Sequence, residues 1–168
     1  MNRAPAELDA IDHIEGQWRR ERPDLDPRPI QVVGRISRLH WALEERLGRV
    51  FADYDLTRGE FDVLATLRRH GAPFELSAGD LRGSTMVTSG AVTKRVDRLE
   101  RAGLVRRRAA DDDARGRLIQ LTDRGLTLID TAMTEHLRNE QRLVAGLTEN
   151  ERDTLIALMR KLNQTLPG

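Results

Sequence analysis

Apolar residues recur along most of this chain at steps of three and four, the period of one helix face, and only short stretches break the pattern. Leu8, Ile11, Ile14 and Trp18 form the first stripe within an otherwise polar segment over residues 7–22, which predicts a short amphipathic helix. Arg22-Pro23 ends it. Pro23, Pro27 and Pro29 then predict a stiff extended connector, because each proline removes a backbone donor and restrains its predecessor. Val33, Ile36, Leu43, Leu47, Val50, Phe51 and Tyr54 keep helical spacing for about six turns, predicting a long helix with one buried face. Thr57-Arg58-Gly59-Glu60 carries a capping-box pattern and opens a helix with Phe61, Leu64, Ala65 and Leu67 inward and Gly71 as its stop. Thr122 and Thr148-Glu149-Asn150-Glu151 are further helix starts. The helices they open carry Leu126, Ile129, Met133 and Leu137, then Leu155, Leu158, Met159, Leu162 and Leu166.

The long period fails between Ser77 and Thr122. Ser77 caps a short helix through Leu81 and Arg82, Gly83 supplies the turn, and Thr88 caps a second helix that runs to Gly103: helix, turn, helix. Val92, Val96 and Leu99 form the inner face of that second helix. Ser89, Gly90, Thr93, Lys94 and Arg98 project the other way, and small hydroxyl residues at its start let such a helix sit deep in a DNA major groove. Base reading then depends on the reach of Thr88, Ser89, Thr93 and Arg95. Leu104 to Arg108 and Arg117 to Leu121 read as two short strands joined by a charged tip. Arg115, beside Gly116, is placed to enter a minor groove with Asp113 orienting it as an ion pair, and Arg117 joins the DNA-facing set. The fold class is therefore mainly α with a small β wing. Four segments are expected: an arm helix and connector (1–28), a scaffold and dimerisation helix (29–56), a DNA-binding lobe (57–122) and C-terminal dimerisation helices (123–168).

Composition sharpens this picture by exclusion. The 168 residues suit a single domain with an arm; 39% are hydrophobic and 33% charged, and no apolar run is long enough for a membrane span or a signal peptide, so the chain reads as cytoplasmic. Zero cysteines remove disulfides, thiolate metal sites, thiol nucleophiles and cysteine redox sensing. His13, His40, His70 and His136 include no pair at the i, i+4 spacing of helical zinc ligands, and no metal or cofactor is expected. Aromatic residues make up only 4%, so burial has to come from aliphatic stripes, and the terminal helices invite a second copy of the chain.

The net charge of +1 hides an uneven distribution. Between Arg82 and Arg117 stand ten basic and five acidic residues, an electrostatic footprint that fits a nucleic-acid partner and, on charge alone, fits a solvated charged face equally. An enzyme is the competing class. Asp111-Asp112-Asp113 as a Mg²⁺ site and Asp62 with His70 as an acid–base pair lack any supporting motif: there is no phosphate-binding loop, nucleophile elbow or dinucleotide fingerprint. A helical protein–protein adaptor would use the amphipathic ends and leave the basic segment without purpose.

These residues resemble the MarR-type winged-helix transcriptional regulators over about Leu39 to Leu162. The resemblance rests on Thr93 to Arg107, which reads Thr-x-x-x-Asp-Arg-Leu-Glu-x-x-Gly-Leu-Val-x-Arg, on Asp113-Ala114-Arg115, and on Leu121-Thr122-Asp123-Arg124-Gly125. It implies a winged helix-turn-helix homodimer on a pseudo-palindromic operator in double-stranded DNA, with helix 88–102 in the major groove, Arg115 in the minor groove, and ligand-controlled repression. The peroxide-sensing branch needs a cysteine, which is absent.

The arm around Trp18 to Asp26 is similar to that of the urate-responsive, PecS-like branch. The resemblance implies a ligand site built from a tryptophan on the arm, an aspartate before the helix-turn-helix and an arginine on the recognition helix; Trp18, Asp62 and Arg95 match these. Where the branch carries an asparagine eight residues after the aspartate, this chain has His70. Urate or another purine is thus one expected anionic effector. A di- or tricarboxylate such as citrate or aconitate is the alternative, because an imidazolium favours a more anionic ligand.

Overall fold

Thr57 starts the helix around which the larger part of the chain is built. Its hydroxyl accepts from the Glu60 amide while the Glu60 carboxylate accepts from the Thr57 amide, and the helix α3 (Arg58–Arg69) follows. The computed structural model describes residues 8–85, 92–109 and 117–166. They divide into two compact units, Met1–Arg46 and Leu47–Gly168, and the long helix α2 (Ile30–Ala52) runs across the division.

In the first unit, α1 (Ala10–Glu21) is opened by an Asp9 capping box. Ile11 packs so closely on α2 that a Cβ at Gly34 would lie 2.9 Å from its Cδ1. Arg35 donates from Nε to Asp9 at 3.0 Å and from Nη2 to Asp12 at 2.8 Å, pinning the start of α1 to α2. The proline-rich connector is turned rather than extended. The Leu25 amide donates to the Arg22 carbonyl and the Ile30 amide to that of Pro27, each at 3.0 Å, while Arg22–Asp24 and Arg28–Asp26 pairs close the turns. The expected buried face of α2 is also corrected: Val33 and Ile36 are 62% and 46% exposed in the single chain, and burial is reached only at Phe51.

In the second unit, α3 is buried on all sides from Gly59 to Leu67, more than the single inner face expected, because α4 (Ala78–Ser84), α5 (Val92–Arg101), α6 (Asp123–Leu143) and the sheet all pack on it. Gly71 takes the left-handed conformation, φ 83°, at the stop that the sequence predicts. Gly83, expected to provide the turn, lies inside α4, which ends where Thr85 turns extended.

Among the described residues the sheet has three strands, not two. β1 (Glu75–Ser77) and β2 (Val105–Ala109) both pair antiparallel with the central β3 (Arg117–Leu121). β1 is too short to show an alternating pattern, and pairing alone makes it a strand. Thr122 caps α6, and Thr148 forms a capping box with Glu151 at the head of α7 (Glu149–Gln164). The core joins Phe51, Phe61, Leu64, Leu67, Leu99, Ile119 and Ile129. The α7 helix contributes no buried residue. Among the described residues, no helix is long and apolar enough to cross a membrane.

Candidate nucleic-acid interface

Three of the ten residues of α5 face the core. Val92, Val96 and Leu99 are 2%, 1% and 1% exposed, which settles the rotation of the helix and turns Thr93 and Lys94 outward, both exposed. At about 100° per residue Arg101 falls on the same outer line as Lys94, a basic position absent from the sequence-based set. Thr88, Ser89, Gly90, Asp113 and Arg115 lie outside the described residues. Arg117 stands exposed at the start of β3, and with Thr93, Arg82 and Arg107 it borders a cavity of about 190 Å³ whose walls include Val92, Val96 and Ile119.

Much of the basic segment is paired within the protein. Arg106 donates to Gln120 at 2.9 Å, and Arg108 forms a two-point pair with Glu75 at 2.8 and 2.6 Å. Arg107 reaches from β2 to Asp97 at 2.5 Å and to Glu100, both on α5. Arg98, expected on the DNA side, meets Glu60 at 3.2 Å and Asp55 at 3.6 Å. A count of charges cannot separate such internal pairs from a free surface.

Arg95 and Asp62 converge on the first turns of α3. The Arg95 guanidinium lies across Gly59 so closely that a Cβ there would be 2.2 Å from Nε, and its Nη1 is buried without a hydrogen-bond partner among the described residues. Asp62 is buried at 7% exposure, one turn after Gly59 on the same side of the helix. His70 is not brought to them: it is exposed at the C-cap of α3, about 16 Å beyond Gly59 by helical rise. Trp18 belongs to the other unit, on α1, and is 46% exposed.

Sequence reasoning did not single out His136. Its ring lies 5.3 Å from that of Phe51 and 4.9 Å from that of Phe61, with Nε2 3.2 Å from Glu140 and Nδ1 buried without a partner among the described residues.

Comparison with known proteins agrees with this architecture. A MarR family model matches residues 54–116. The HTH-type transcriptional regulator PecS of Dickeya dadantii is 41% identical over 156 residues, spanning 93% of this chain and 94% of that one. A mutant MarR from E. coli, solved in complex with operator DNA, is similar with a TM-score of 0.68 and 26% identity, covering 89% of this chain and 98% of that one. Bordetella bronchiseptica BpsR, whose DNA binding is regulated by 6-hydroxynicotinic acid, also has a TM-score of 0.68 at 26% identity, covering 79% and 98%. The matched proteins are transcriptional regulators, not enzymes. Similarity of this extent, on a helix-turn-helix with a three-stranded wing, makes the assignment: the chain belongs to the MarR family of transcriptional regulators.

Proposed function

We propose that this chain is a repressor that binds a pseudo-palindromic operator as a homodimer and releases it when a small anionic ligand, urate or another purine, binds at Arg95 and Asp62. The observation that carries the effector reading is the Arg95 Nη1, buried close to Gly59 with no acceptor among the described residues. A buried cationic donor without an acceptor costs free energy, and an anion removes that cost. Trp18 is proposed as a further effector contact on the resemblance to the PecS-like branch. With His70 at the far end of α3, the geometry offers no second cation beside Arg95 from that residue, which favours the purine over a tricarboxylate.

On the DNA side, Lys94, Thr93 and Arg117 supply the exposed groups, together with the proposed contacts Thr88, Ser89, Gly90 and the Asp113–Arg115 wing pair. Arg95 belongs to the recognition helix itself, so a ligand that draws it toward α3 tilts that helix away from the operator geometry. The dimer reading is supported by α7, where Leu155, Leu158 and Met159 are 44%, 59% and 51% exposed in the single chain.

Fluorescence anisotropy on the DNA upstream of the protein's own gene, with urate and with citrate, tests the whole reading. The expected result is tight binding that weakens on the order of a thousandfold between 50 and 200 mM salt, as for about six neutralised phosphates, and that urate reverses. Arg95→Ala should lose the urate response and weaken DNA binding. Release by citrate alone would redirect the site to carboxylates, and absence of specific binding at any salt would point to the adaptor class.

A further inference from the structure

We propose that Arg98 and Arg107 are positioning residues that hold the recognition helix from its two flanks, and that neither is a DNA contact. The inference rests on the DNA-binding reading above and deepens it.

At about 100° per residue, Arg95 and Arg98 lie on one flank of α5, Asp97 and Glu100 on the other, with Lys94 and Arg101 between them facing outward. The first flank is tied to α3. Arg98 Nε stands 3.2 Å from the Glu60 carboxylate, whose side chain is only 4% exposed and already accepts from the Thr57 amide and hydroxyl at 2.8 Å each. A carboxylate that deep in the protein needs a cation, and Arg98 supplies one. The second flank is tied to the sheet. Arg107 Nη2 stands 2.5 Å from Asp97, its Nη1 binds Glu100, and its backbone amide donates to Glu100 at 3.1 Å. Two carboxylates one turn apart on α5 thus share one arginine of β2, whose position is set by pairing with β3 opposite Ile119.

These two ties act on different sides of the helix axis, so together they restrain its roll as well as its tilt. Roll matters because base edges are read by short side chains on one line of the helix, and a small rotation moves that line out of reach. Phosphate contact and positioning make opposite predictions for the acidic partners. If Arg98 and Arg107 neutralise phosphates, Glu60→Gln and Glu100→Gln free a cation and remove an anion, so DNA binding tightens. If the arginines position α5, the same changes weaken specific binding.

The experiment measures anisotropy from 50 to 200 mM salt for wild type, Glu60→Gln, Glu100→Gln, Arg98→Gln and Arg107→Gln. Two DNAs are used: the duplex upstream of the gene and an unrelated duplex of equal length. Concentrations are corrected for the folded fraction from circular dichroism. The expected result is a loss of about tenfold in specific affinity for all four variants, unchanged affinity for the unrelated duplex, and an unchanged slope of log K against log salt. A slope reduced by about 0.9 in either arginine variant, or tighter binding by either glutamate variant, overturns the proposal. Unchanged specific affinity in the arginine variants overturns it too. Failure of the wild-type protein to bind either duplex would instead overturn the DNA-binding reading.

Discussion

Gly59 and Gly125 both sit where a side chain has no room, yet they should respond differently to substitution. A Cβ at Gly59 meets the Arg95 side chain, with Nε at 2.2 Å and Cζ at 2.5 Å, and a flexible guanidinium can be displaced. A Cβ at Gly125 meets backbone, with the Leu104 carbonyl oxygen at 2.0 Å and its carbon at 2.9 Å. Gly59→Ala is therefore expected to leave the melting temperature close to wild type and to abolish effector-driven release, because Arg95 leaves its place over α3. Retained release in anisotropy would show that this place is not the effector site. Gly125→Ala is expected to cost about 1–3 kcal/mol in denaturant unfolding, the range for overpacking against groups that cannot retreat, and a neutral result would refute the close approach. Gly125 and Gly59 each fall within a sequence motif, Leu121 to Gly125 and Thr57 to Glu60, but neither motif shows the close approach, since the neighbours Leu104 and Arg95 come from elsewhere in the fold.

At the scale of elements, the pairing of α1 with α2 combines the packing of Ile11 with ion pairs of Arg35, and the ion pairs make it depend on pH. The amide of Asp9 and then the Arg35 guanidinium hold the Asp12 carboxyl below its usual value of 3.8. In the connector, Arg28 brings Asp26 from 3.8 down to about 2. A carboxylate whose folded value is depressed contributes stability above its unfolded value and loses it as pH falls through the folded value. Docking of α1 is thus expected to be constant above about pH 5 and to weaken at pH below 3.8. An NMR titration of the Asp12 carboxyl carbon checks this: its midpoint should lie below 3.8 and rise in Arg35→Gln, and an unmoved midpoint would remove Arg35 from the account. The helix starts at Thr57 and Thr148 were legible because a capping box is a local exchange between residues three apart. The strand β1 was not, because its three residues are ordered only by Gln120, Ile119 and Leu118 across the ladder.

At the scale of the whole molecule, the exposed stripe of α7 sets the expected assembly. Leu158→Glu is expected to shift the protein from dimer to monomer in sedimentation at micromolar concentration. It should weaken operator binding by at least tenfold, since two linked half-sites lose their mutual effective concentration. A stable dimer in this variant would move the interface elsewhere. The helical stripe was visible as a period of three and four, and its partner was not, since periodicity says that a face seeks cover and not what covers it.

The sequence by itself determined most of the helices, the caps at Thr57, Ser77, Thr122 and Thr148, the inner face of α5 and the DNA-binding class. Each of these rests on residues close together in the chain, whose periodicity and hydrogen bonding are local. Only the tertiary structure decided the third strand, the turned connector, the setting of Arg95 over Gly59 and the internal pairing of Arg98, Arg106, Arg107 and Arg108. The reason is physical: a charge or a small residue written in sequence is indifferent to its partner, and only the packing of distant elements chooses between water, an anion and DNA.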